Sequence, residues 1–504
     1  MKKNTKLLIG SAVLVGILGA ALTAVLLIPS GNEEIKLSDK NEILIFDKTG
    51  LIPEEITVSN TGGDYQLLAF DYEKSSKTSS SSSDTDESAA ESTEANSEDE
   101  EVTIVYTMQD HPDMLLDKNV TDSLVKQCLT QSARELIDRS GSKDKEYGLE
   151  TPVSTVRIRY SDSSTETLYL GNEAPSGQGV YMKTSRSKNV YLVHSSLTDT
   201  FYIEKLQLFD KQVTPYFEDM TNMTITGKNY SEDIVIGRNE YSCYDGYYLM
   251  TSPARYQCSN EKVNEISTPM SELKAVWIAD INVGEDDLKK YGLDNPYEKI
   301  EIKADGGTNF TLIASEPDSE NIFYLMNTSG TTVYRTYANE NKWLGLKKTD
   351  LLTNSIIEPS STEIAKAVIK AEGNSYDYIF TKTKGLDKNY YETENVTVKY
   401  NGEEINIAKI SNFISNVSGL EWSDKKPGNL DGCSEILSVE YSYFVDEGIT
   451  DRLVLMRDSA GKTIAVLNGK AECYVDSAYA DRLAAQVDKI PTAEIIDLFK
   501  DSEA

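Results

Sequence analysis

Two histidines, five cysteines and 82 carboxylates are the side chains of this 504-residue chain best suited to bind a metal or move a proton. His111 lies in the turn sequence Gln109-Asp110-His111-Pro112-Asp113, and His194 closes the apolar run Tyr191-Leu192-Val193. A metal centre would need both rings brought together with carboxylates, and their spacing gives no sign of it. Two surface histidines are the expectation, with no metal. The chain has no phosphate-binding glycine loop, no Gly-x-Ser-x-Gly elbow and no His-Glu-x-x-His pair. A carboxylate pair that cleaves glycosidic bonds stays open, since so many Asp and Glu make chance pairings common. No catalytic, metal-binding or cofactor-binding residue is assigned, and a non-catalytic protein is expected.

The cysteines are odd in number and lack any Cys-x-x-Cys spacing. Cys128 shares an apolar helical stripe with Leu124, Val125, Leu129 and Leu136, which predicts a core thiol. Cys243 with Cys258, and Cys433 with Cys473, are candidate disulfides in an oxidising exterior, although spacing alone does not bring Cβ atoms together. Tyr241, Tyr244, Tyr247, Tyr248 and Tyr256 crowd one stretch. Such rings line a carbohydrate or peptide groove, or they pack a sheet onto a helix. Packing is the expectation here.

The formal charge of −32 argues against nucleic acid as a partner, because no basic surface is evident to neutralise phosphates. Residues 7–28 form an uncharged run long enough for a helix of about 33 Å, which would cross a hydrocarbon core. Lys2, Lys3 and Lys6 precede it while Glu33 and Glu34 follow, so the N-terminus is expected in the cytoplasm and the bulk of the chain outside. A cleaved signal peptide is the alternative, but the run exceeds a normal signal core and no small-x-small cleavage site follows.

What would position these residues is written in a repeat. Tyr147-Gly148-Leu149 and Pro152 return 144 positions later as Tyr291-Gly292-Leu293 and Pro296. Glycine admits positive φ where the chain reverses, and proline discourages helix before the next strand. Alternating strands follow each phrase, with Val156 and Ile158 in one and Ile300 and Ile302 in the other. Upstream, each copy reads as strand, turn, strand and helix. Thr121 or Asp122 is the expected cap of the first helix. In the second, Val263, Ile266, Met270, Leu273 and Trp277 keep helical spacing, with Pro269 expected to kink or restart it. The second copy turns through Asp245-Gly246, a two-residue hairpin signal. At that place the first copy carries a Ser- and acid-rich run over 75–101, expected to be a disordered insertion at a hairpin tip. A fainter third copy has Ile410, Phe413, Ile414 and Val417 on one helical face and lacks the Tyr-Gly-Leu phrase.

The expected fold class is α+β: an N-terminal transmembrane helix, then three repeats of antiparallel β hairpins packed with a helix. The expected divisions are 1–30 for the cytoplasmic tip and anchor, then repeats at 41–210, 211–350 and 361–492, with a tail at 493–504.

The anchor, the strand–hairpin–helix units and the Tyr-Gly-Leu-x-x-Pro phrase resemble the bacterial family known as domain of unknown function 4340. The segment 167–193, Thr167-Leu168-Tyr169-Leu170-Gly171 through Tyr191-Leu192-Val193, is its most similar part. Members often carry Trp in the hairpin strand before the helix, where this chain has Tyr106 and Tyr247/Tyr248. Many are encoded near ABC-type exporters. The resemblance therefore implies an extracytoplasmic accessory or substrate-engaging subunit of such a membrane complex, and it carries over no catalytic residues. An anchored cell-wall glycan-binding or glycan-cleaving protein is the alternative.

Overall fold

Alternation of apolar and polar residues fixes most of this chain as strand. In Pro53–Asn60 the side chains of Ile56 and Val58 are fully buried while their neighbours are not, and Glu298–Ala304 and Ile364–Ala371 repeat the pattern. The computed structural model describes residues 42–71, 104–175, 177, 179–386, 392–445 and 448–492, with the short strand Lys36–Leu37. Three large sheets and one small one result, with every named strand pair antiparallel.

Each large sheet grows from a central pair. In the first sheet Pro53–Asn60 pairs with Ser154–Tyr160, setting Val58 opposite Val156. In the second Met220–Thr226 pairs with Glu298–Ala304, Ile225 opposite Ile300. In the third Ile364–Ala371 pairs with Ser434–Tyr443, Ile369 opposite Val439. Hairpins extend each pair outward on both sides. The two strands that flank the acidic run, Gly63–Asp71 and Ile104–Met108, pair directly, Leu67 opposite Met108. The expected insertion at 75–101 itself lies outside the described residues.

The α+β expectation is corrected. The described residues are mostly antiparallel strand, and the longest α-helix, Lys118–Leu129, has 12 residues. Among the described residues no helix is long and apolar enough to cross a membrane. The apolar run 7–28, where the transmembrane helix was expected, lies outside them. Three separate repeats are also corrected, because the chain divides into two compact units at Lys211/Gln212. Residues 361–492 do not stand alone, since one hydrophobic core contains residues of both the second and third sheets, Phe323 with Phe413 and Tyr441 among them. The segment between them is a buried strap. Leu351, Leu352, Ile356 and Ile357 point inward, and its backbone bonds both ways: Ser259 N–H to Leu351 O at 2.9 Å, and Ile356 N–H to Leu420 O at 2.8 Å.

The helices are shorter than the apolar spacing suggests. The first is capped by Asp117, whose carboxylate accepts from Asn119 N–H at 3.0 Å, rather than by Thr121 or Asp122. It stops at Leu129, where the chain turns into the strands Thr130–Ala133 and Glu135–Asp138. The second, Asn260–Met270, ends one residue after Pro269, consistent with the amide donor that proline lacks. Val263, Ile266 and Met270 are buried there, but Trp277 belongs to the edge strand Trp277–Asp280, under the Arg335 guanidinium.

Both Tyr-Gly-Leu phrases close a helical turn in the same way. Leu149 N–H reaches Asp144 O at 2.7 Å and Gly148 N–H reaches Lys145 O at 3.3 Å; Leu293 and Gly292 bond to Leu288 and Lys289 at 3.0 and 3.2 Å. This double bond around a left-handed residue is the Schellman motif, with Gly148 at φ +72° and Gly292 at +68°. The tyrosines and leucines then cover the second face of their sheets, Leu149 with Tyr169 and Val190, and Leu293 with Ile313, Met326 and Val333. In the third sheet Leu430 and Cys433 take that place, over Val454, Ile464 and Val466.

The two glycines differ in their surroundings. A Cβ on Gly148 would meet Asn172 Oδ1 at 2.5 Å, whereas on Gly292 the nearest atom is Ser315 Cβ at 3.6 Å. Gly292→Ala should therefore cost only the left-handed penalty, about 1–2 kcal/mol. Gly148→Ala should cost more. Denaturant titration of the unit that holds each residue checks the order, and equal losses would contradict the steric account.

Candidate functional site

Strand alternation puts several charged residues in the inward phase, where leucines and isoleucines belong. Asp451 precedes Leu453 and Leu455 on the buried face of Thr450–Arg457, and Glu298 precedes Ile300 and Ile302 in Glu298–Ala304. A buried carboxylate is tolerated only when hydrogen-bonded or neutral. The second unit uses both solutions.

Asp451 is 4% exposed and sits at the seam between the second and third sheets. The Tyr244 and Tyr443 hydroxyls each donate to Oδ2 at 2.7 Å. Arg255 donates to Oδ1 at 2.8 Å and the Asn468 amide at 3.1 Å. Burial works to raise this carboxyl, but the donors from Tyr244, Arg255 and Tyr443 and the Arg255 charge hold it below its ordinary value. Tyr244 reaches Asp451 because its connection is long. The strands end at Arg238 and Tyr248, so Asp245-Gly246 is part of a nine-residue loop over 239–247, not a two-residue turn. Asn239 braces that loop by donating to the Tyr244 and Gly246 carbonyls at 2.9 and 2.8 Å.

A second cluster lies on the same seam. Tyr256 donates to Glu472 Oε1 at 2.5 Å, and Lys348 pairs with Oε2 while its ammonium lies 4.6 Å from the Tyr256 ring and 5.2 Å from the Trp422 ring. Trp422 in turn donates to Ser355 O of the strap at 3.0 Å. Both clusters join groups far apart in sequence. Each is an ion pair wrapped in aromatic rings, able to fix two sheets in one register.

Glu298 takes the other course. It is fully buried; Oε2 accepts from the Gly345 N–H, and Oε1 finds no partner among the described residues. Burial pushes this carboxyl up to about 7, against the pull of the Gly345 N–H hydrogen bond.

The residues singled out in sequence fall elsewhere or divide. Tyr244, Tyr248 and Tyr256 are buried, while Tyr241 and Tyr247 are exposed. His111 packs edge-on against Phe209 at 5.8 Å, and His194 caps a helical turn by accepting from Ser196 N–H at 3.2 Å. Among the described residues no group of three His, Cys, Asp or Glu side chains is placed to hold a metal. No disulfide is formed among them either. Cys258 and Cys473 are buried thiols, Cys433 is half-buried on the opposite face of its sheet from Cys473, and burial pushes Cys258 up to about 12. The corner residues Tyr147, Leu149, Tyr291 and Leu293 pack over the second faces of their sheets. Asp451, Glu472, Arg255 and Lys348 were not singled out in sequence; a charge in the inward phase of a strand was the available signal for Asp451.

The family model described as domain of unknown function (DUF4340) matches residues 107–241 and 249–429, together more than half of the chain. Two segments match rather than three, and the second runs through the strap that joins the two sheets. No curated protein and no solved structure matches.

Asp451→Ala would leave Arg255 part-buried without its carboxylate, and it should cost the second unit about 3–5 kcal/mol in denaturant titration; a loss below about 1 kcal/mol would contradict the seam account. Because Asp451 is depressed, its contribution is present above the ordinary carboxylate range and is lost as pH falls through its folded value. Glu298 has the opposite sign. Raised from 4.5 to about 7, it favours folding at low pH and becomes a liability as pH rises through that window. Glu298→Gln should therefore gain on the wild type by about 3 kcal/mol between about pH 4 and about pH 8. Parallel stability-versus-pH curves would contradict the assignment.

Proposed function

We propose, for a chain that belongs to the domain of unknown function 4340 family, a non-catalytic role as an extracytoplasmic accessory or substrate-engaging subunit of an ABC-exporter-type membrane complex. The observation that carries this reading is the state of the buried charges. Asp451 with Arg255 and Glu472 with Lys348 face one another across the seam, an arrangement that suits rigid presentation of a surface better than turnover. The resemblance supplies the partner class. The uncharged run 7–28 supplies attachment to the membrane, and the charge of −32 fits a partner other than nucleic acid or anionic lipid.

Mild crosslinking in intact cells, detergent extraction and mass spectrometry test it. A transporter permease or its ATPase should co-purify, and should be lost when residues 1–30 are exchanged for a cleavable signal. Recovery of no transporter component from wild-type cells would contradict the proposal.

A further inference from the structure

The helix Asn260–Met270 and the segment 214–219 face one another across a cleft of about 530 Å3 in the second unit. Its walls are tied together at one end. Thr214 Oγ1 donates to Met270 O at 2.6 Å and accepts from Leu273 N–H at 2.8 Å. Ser271 Oγ accepts from Phe217 N–H at 2.9 Å and donates to Phe217 O at 2.8 Å. The cleft is thus preformed, which lowers the ordering cost of taking a ligand.

The groups that face the cleft are not tied in this way. Asn264, Ser267 and Thr268 lie at i, i+3 and i+4 on one helical face, and their side chains make no hydrogen bond to the described protein. Ser267 is 5% exposed as a residue, and its hydroxyl is not one of the fully buried, unpartnered side-chain groups of the described protein. Opposite stands Tyr216, 57% exposed, its hydroxyl donating to Glu218 Oε1 at 3.5 Å, while the buried Tyr248 and Met220 also line the cleft. Glu218, Asp219 and Glu272 add carboxylates, and neither Lys nor Arg lines the cleft.

We propose that this cleft binds a saccharide, neutral or amine-bearing. An aromatic face suits the C–H face of a pyranose, an amide and two hydroxyls suit its ring substituents, and carboxylates accept from hydroxyl pairs or an ammonium. The same carboxylates repel phosphates and uronic acids. This inference rests on the cleft alone and stands apart from the membrane-complex reading.

The test is calorimetric titration of the detergent-solubilised full-length chain with a tetramer of N-acetylglucosamine, its deacetylated amine form, a galacturonic acid tetramer and hexalysine. The first two should bind, the amine form more tightly, and the galacturonate should not. Tyr216→Ala and Asn264→Ala, both at exposed positions, should each weaken sugar binding at least tenfold without moving the thermal transitions. Absence of sugar binding, sugar binding indifferent to both variants, or binding of hexalysine in place of the sugars would each overturn the proposal. If the tetramers bind but no transporter co-purifies, only the membrane-complex reading falls.

Discussion

Asp451 accepts four hydrogen bonds in a place with almost no water, and the architecture of the second unit depends on that arrangement. Removing a carboxylate from water is costly, and the cost is recovered only when both oxygens are met with good geometry. The donors come from both sides of the seam: Tyr244 and Arg255 from connections between strands of the second sheet, Tyr443 from a strand of the third and Asn468 from the residue after another of its strands. Apolar packing across the seam would tolerate sliding, whereas this network is satisfied in one register. The nine-residue loop that delivers Tyr244 makes sense in that light, as does the strap beneath it, where Ser360 N–H bonds Cys243 O at 2.9 Å.

A second constraint is that each sheet has two faces to cover. The short helices take one face in the second and third sheets, with Ile266 and Met270 or Phe413 and Val417 turned inward. The Schellman corners take the other face, as does the segment holding Leu430 in the third sheet. The corner phrase is therefore architectural. Its glycine permits the reversal, and its tyrosine and leucine are the lid.

Much of the local structure was legible because it depends on local rules. The alternation of Val156 with Ile158 and of Ile300 with Ile302 read as strand and is strand, in Ser154–Tyr160 and Glu298–Ala304, and the positive φ of Gly148 and Gly292 follows from a residue that permits it. Helix extents were misread where apolar spacing continued past the true end. Trp277 keeps helical phase with Met270, yet Pro269 and strand pairing with Arg335 prevail. The merger of two sheets into one unit was not legible at all. Tyr244 and Asp451 are 207 positions apart, and Tyr256 and Glu472 are 216 apart, so no window along the chain contains both partners. The saccharide cleft was hidden for a similar reason. Tyr248 belonged to a noted cluster, but Tyr216 and Asn264 acquire meaning only when the helix is set beside the segment 214–219.

The central claim is that the described residues between 212 and 492 form one body locked at the seam. Hydrogen exchange of the full-length chain tests it most directly. The account predicts that the core amides of Tyr248–Ser252 and Thr450–Arg457 share one opening free energy and respond together to denaturant. A third sheet that opens on its own, at lower free energy than the second, would contradict it.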